Sequence, residues 1–301
     1  MFKNVLVGVD GRPNGRDAIA LADRLTDPDG KLTLVHVHSG DLRPSHAIAP
    51  GVVAGEREGS HKLLERERTA TGVKAELTSI VSMSPGRGLH EQAEAQNADL
   101  LVVGSCSHGI FGRTMLGDDT RAALNGAPCA VAIASLGYAD GRASTNKVGV
   151  AYNASPESKM ALAMARTLAA PTKAAVHALE VVSIPNYTYT GLIPPAVVES
   201  FDVMLQEAND RMKELPDVEG HAVYGLAGEE LAAFGDRMDI LVVGSRGYGP
   251  LKRLVLGSTS NYLERHARCP LLVLPRTATN PAADSTTSGE HQAETPAGAT
   301  V

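Results

Sequence analysis

The chain has 301 residues, a formal net charge of −6 and 43% hydrophobic residues. That balance fits a soluble globular protein long enough for two ordinary domains. No Lys/Arg-rich run argues for nucleic acid and no stretch approaches a membrane span, so neither partner is expected. With no Trp, the core has to be aliphatic.

Met1–Asn4 leads straight into a first strand, Asn4 to Val9, rather than into a signal peptide. A helix from about Gly15 to Leu25 follows, with Ala18, Ile19, Ala22 and Leu25 on one face. Lys31 to Val37 reads as a second strand, Asp41 to Gly55 as a Pro/Gly-rich loop, and Glu56 to Thr71 as a charged helix stopped by Gly72. Val73 to Val81 is a third strand, Gly88 to Gln96 a helix, Leu100 to Val103 a fourth strand and Ala130 to Ile133 a fifth. Strands alternating with helices at this rhythm predict a parallel sheet covered on both faces.

The pattern then starts again. Asn146 to Asn153 repeats the first strand, and Ser155-Pro156-Glu157 opens a helix with a capping residue before a first-turn proline. Ala175 to Val182, His221 to Tyr224, Ile240 to Val243 and Leu271 to Leu274 supply the remaining strands. A long helix falls within Pro194 to Leu215 and a shorter one spans Glu229 to Phe234. Gly104, Gly109 and Gly117 recur as Gly244, Gly249 and Gly257, each 140 residues later, while Asp10 returns as Asn153 after 143. The expected domains are 1–136 and 147–276, with a flexible polar linker over 137–146. The Ala/Thr/Ser/Pro-rich stretch 277–301 is expected to be a disordered tail.

In the second copy the fourth strand runs into Gly244-x2-Gly247-x9-Gly257-Ser258-Thr259, just before a helix. Strand, glycine loop and helix N-terminus make a phosphate site, because free N–H groups and the positive end of the helix dipole converge there. Ser258 and Thr259 add hydroxyl donors. Arg246, Lys252 and Arg253 flank the loop; they either neutralise phosphate or form a solvated basic surface. Glycines at these spacings also serve as plain packing turns.

These residues resemble the universal stress protein family, and the likeness covers about residues 1–276. It implies two tandem doubly wound domains, Rossmann-like and similar to the adenine nucleotide alpha hydrolase fold, each with a five-stranded, mostly parallel sheet. It also implies that the fifth strands help to join the halves, with a homodimer left open. In the nucleotide-binding branch the ligand is ATP or another adenine nucleotide, with or without Mg. By resemblance, Asn153, Val181, Val243, Gly244, Arg246, Gly247, Gly257, Ser258 and Thr259 would hold it. Asn153 stands where the family has Asp, which removes a charge from the place of a metal ligand. In the first domain Asp10, Val37, Gly104 and Gly117 match more weakly. Ser107 replaces a motif glycine there, and Asp118-Asp119 put carboxylates where phosphate donors are wanted. One nucleotide per chain is therefore expected, in the second domain.

Other signals are weaker. His36 and His38 share a strand face without an evident third ligand. Cys106, Cys129 and Cys269 have no metal spacing and suit a reducing cytoplasm; Cys106 is either a redox-sensitive thiol or merely exposed. Tyr187, Thr188 and Tyr189 read as a surface loop near the second site. No nucleophile elbow, Walker lysine or paired-histidine zinc motif is present. The expected role is regulatory, with nucleotide occupancy read by a protein partner. A slow ATPase or phosphotransfer protein, and an interaction module that binds no nucleotide, are the alternatives.

Overall fold

The strands form because their apolar runs are short and rich in Val, Leu and Ile, and both faces of the sheet are covered. In the computed structural model residues 1–38, 50–105, 122–123, 125–141, 145–183, 195–245, 254 and 257–275 are described. The first half contributes β1 (Phe2–Gly8), β2 (Thr26–His38), β3 (Glu76–Val81), β4 (Leu100–Gly104) and β5 (Ala130–Ala134). The second contributes β6 (Lys147–Ala151), β7 (Ala175–Ser183), β8 (Glu219–Gly225), β9 (Ile240–Gly244) and β10 (Leu271–Leu274). All ten belong to one sheet, in the order β3-β2-β1-β4-β5-β10-β9-β6-β7-β8.

Within each half the strands are parallel and ordered third, second, first, fourth, fifth. The halves meet where β5 and β10 pair antiparallel, Leu271 opposite Ile133 and Val273 opposite Val131. Two edges that would each expose unpaired backbone are closed against one another. Because side chains alternate across the pleat, Leu272 and Leu274 enter the core on one face while Leu271 and Val273 enter the core on the other. Both cores therefore run through the junction.

The helices are α1 (Pro13–Leu25), α2 (Pro50–Thr71), α3 (Pro85–Ala95), α4 (Pro156–Ala169), α5 (Pro195–Lys213), α6 (Ala227–Gly235) and α7 (Ser258–His266). Five of them begin at a proline, the entrance signal expected for α4. Ser84 and Ser155 cap α3 and α4, each accepting from a backbone N–H three residues on.

One sequence reading is corrected. The stretch from Asp41 to Gly55 is not all loop: α2 begins at Pro50, because a proline in the first turn of a helix does not forbid it. The first part of the expected linker carries contacts to α1. Tyr138–Asp140 form a turn of 3-10 helix, and buried Asp17 of α1 accepts N–H bonds from Gly137 and Ala139 at 3.0 and 2.8 Å. Arg24 of α1 also lies over the Tyr138 ring, 5.5 Å from its centroid. Composition shows the polarity of such a segment but not the acceptor waiting for it on another element. The tail from 277 lies outside the described residues.

Candidate nucleotide crevice

In open parallel sheets, ligands lodge outside the strand carboxyl ends where strand order reverses. Here those places lie between β1 and β4 in the first half and between β6 and β9 in the second. Each has a crevice.

In the second half the crevice has a volume of about 790 Å³, within the roughly 300–1,000 Å³ of small-molecule sites. β6 delivers Asn153 to its rim and β7 delivers Val181. β9 ends there with Val243 and Gly244, and the α7 entrance supplies Gly257, Ser258 and Thr259. These seven expected residues line one cavity. Arg246 and Gly247 lie outside the described residues.

The walls divide by chemistry. Val181, Val243, Leu179 and Leu231 make an apolar side suited to a flat heterocycle. Hydroxyls of Ser258 and Thr259 and the start of α7 make a polar one. Gly257 takes the N-cap position with extended backbone (φ −81°, ψ 175°) and no side chain to cap the helix. Among the described residues no side chain caps this nine-residue helix, and uncapped first-turn N–H groups of this kind can bind an anion.

The turn after β6 is tightly built. Asn153 Oδ1 accepts the Ser155 N–H at 3.2 Å, the Asn153 N–H donates to Ser158 Oγ at 3.3 Å, and Ser155 Oγ accepts the Ser158 N–H at 3.2 Å. Ala154 completes the turn with φ 60°, a left-handed conformation uncommon for a residue with a Cβ. Ser155, Glu157 and Ser158 reach the crevice through this turn. Sequence reading took Ser155 and Glu157 only as a helix start and did not single out Ser158; the repeat was the signal that could have found them, because Arg12, Asn14 and Gly15 hold the same places in the first half.

Gly244 has a reason that the motif alone concealed. A Cβ there would stand 2.8 Å from Glu157 Cβ and 3.1 Å from the Glu157 carbonyl carbon. At Gly104 it would stand 2.2 Å from the Asn14 carbonyl oxygen. Both glycines let the first turn of the helix after the neighbouring strand, α1 or α4, lie against the strand end, so packing by itself requires them.

The first half's crevice is smaller, about 130 Å³. Asp10, Val37 and Gly104 line it, with Arg12, Asn14 and His36. Asp10 Oδ1 accepts the Arg12 N–H at 3.0 Å, and Arg12 Nε lies 3.5 Å from Asp10 Oδ2. His36 Nδ1 is 2.7 Å from the Val9 carbonyl oxygen, while His38 Nδ1 faces Glu56 at 3.6 Å. Among the described residues no group of three His, Cys, Asp or Glu could hold a metal ion. Gly117, Ser107, Asp118, Asp119 and Cys106 lie outside the described residues, as do Tyr187, Thr188 and Tyr189. Burial pushes the Cys129 and Cys269 thiols up to about 12, which makes both unreactive. Among the described residues no helix is long and apolar enough to cross a membrane.

The model of the universal stress protein family matches residues 1–135 and 144–275. A universal stress protein of Mycobacterium tuberculosis is 28% identical over 291 residues, covering 89% of this chain and 96% of its own length. One from Thermus aquaticus is 28% identical over 134 residues, 44% of this chain and 97% of that protein. The crystal structure of a universal stress protein from Archaeoglobus fulgidus covers 91% of this chain and 98% of its own, with a TM-score of 0.63 at 19% identity. That likeness is one of fold.

Proposed function

This chain belongs to the universal stress protein family, and on that premise we propose that its second domain binds ATP or a related adenine nucleotide. The observation that carries the reading is the uncapped entrance of α7, opening on the same cavity as an apolar wall from β7 and β9. The base would lie against Val181, Val243 and Leu231, with the ribose near Asn153 and Ser155. The phosphates would take the N–H groups and hydroxyls of Ser258 and Thr259. A divalent cation travelling with the phosphates would find its carboxylate in Glu157, which lines the crevice; the Asn153 side-chain oxygen is engaged with Ser155.

The role is regulatory: occupancy favours one arrangement of the crevice and its surroundings, and a partner protein reads that arrangement. The chain works in the cytoplasm in this reading, where its buried thiols stay reduced. Calorimetric titration of ATP into the full chain tests it, with one nucleotide per chain expected. No binding of ATP, ADP or AMP would overturn it, and release of phosphate at enzymatic rates would overturn the regulatory half alone.

A further inference from the structure

Leu254 lies three residues before Gly257, yet its backbone hydrogen-bond partners belong to the other half of the chain. Its N–H donates to the Ala127 carbonyl oxygen at 2.9 Å, and its own carbonyl oxygen accepts the Gly126 N–H at 2.9 Å. Its side chain is fully buried in the apolar cluster that holds Ala123, Ala127 and Leu263. On the far side of this bridge, Gly126 holds φ 91°, a conformation that a Cβ would strain. His90 of α3 braces the same turn: its Nε2 is 2.6 Å from the Ala123 carbonyl oxygen. Neighbouring Asn125 is exposed.

We propose that the first domain is a working part of the second domain's nucleotide site, an inference that rests on the nucleotide reading above. Gly126 and Ala127 hold Leu254, and Leu254 sets where the chain enters α7. Phosphate binding at Gly257, Ser258 and Thr259 requires their donors to converge on one point, so an anchor that fixes the entrance beforehand reduces the ordering left for the ligand. Linkage makes the effect reciprocal: a nucleotide that binds better with the bridge closed also tightens the bridge. Occupancy in the second domain is thereby passed to the turn around Asn125 in the first, where a partner can read it.

The test is hydrogen–deuterium exchange of the full chain with and without ATP, beside calorimetry of wild type, Gly126→Val, Leu254→Ala and Leu254→Met. ATP is expected to slow exchange of the Gly126 and Leu254 amides. Gly126→Val and Leu254→Ala should weaken ATP binding at least about fivefold in chains whose circular dichroism stays native, whereas Leu254→Met, which keeps the volume, should bind as wild type does. ATP binding without any change in Gly126 exchange would overturn the inference alone, as would wild-type affinity in folded Gly126→Val. If that variant does not fold, the exchange measurement on wild type decides. Absence of ATP binding to wild type would overturn the nucleotide reading and this inference with it.

Discussion

The two crevices stand at the same place in the repeated topology, and five positions of the turn after the first strand differ between them. Asp10, Gly11, Arg12, Asn14 and Gly15 in the first half become Asn153, Ala154, Ser155, Glu157 and Ser158 in the second. In the first, a long arginine folds back beside Asp10, and the cavity is about 130 Å³. In the second, serines take that ground and the cavity is about 790 Å³. His36 also faces the first crevice. Its counterpart Glu180 is buried and paired with Arg211 of α5 at 2.7 Å. Duplicating a fold preserves the place where a ligand can sit; whether it is open depends on a few side chains at the rim.

The largest effect should come from the packing glycines. Gly104→Ala drives a Cβ into backbone and should cost about 3 kcal/mol, the upper range for overpacking. Gly244→Ala meets mainly the Glu157 side chain first and should cost less. Thermal unfolding of both variants ranks them, and equal melting would show that the halves relax alike.

Next is Gly257→Asp with Ser258→Ala, which gives the second crevice a carboxylate and removes a hydroxyl. ATP affinity should fall at least about tenfold, ~1.4 kcal/mol. Gly257 has φ −81°, so the substitution brings no left-handed strain. Undiminished affinity in the folded variant would put the phosphates elsewhere.

The comparison can also be reversed. Giving the first crevice the second's chemistry, with Asp10→Asn, Arg12→Ser, Asp118→Ser and Asp119→Thr, should raise ATP stoichiometry from one toward two, the new site weaker than the first. A stoichiometry that stays at one, at the salt used for wild type, would mean that charge and Arg12 are not what closes it.

The smallest effect concerns the turn itself. Gly11 has φ 79° and Ala154 φ 60°, the same left-handed conformation met by a suited and an unsuited residue. Ala154→Gly should therefore stabilise by about 1 kcal/mol. Gly11→Ala should destabilise by more than that, since its Cβ would also stand 2.9 Å from Leu63 Cδ1. Urea unfolding of the two variants measures both signs.

By itself the sequence determined the repeat, the alternation of strands and helices, and the glycine loop that runs from Gly244 to Gly257. These are local facts: apolar runs of strand length, capping serines, first-turn prolines and glycine spacings act over a few residues. The likeness to a known family added the grouping of Asn153, Val181, Val243, Gly244 and Gly257, and the order of the strands came only with the fold. Tertiary structure alone decided the rest. Composition could not show that Asp17 would hold the linker at Gly137 and Ala139, because donor and acceptor are far apart in sequence. Nor could a motif distinguish a glycine spared for a ligand from one spared for the backbone of Asn14 or the first turn at Glu157. The bridge from Leu254 to Gly126 and Ala127 left no mark in the pattern at all. Backbone N–H and C=O groups are the same in every residue but proline, so which of them meet across a domain junction is settled only when β5 and β10 bring the halves together.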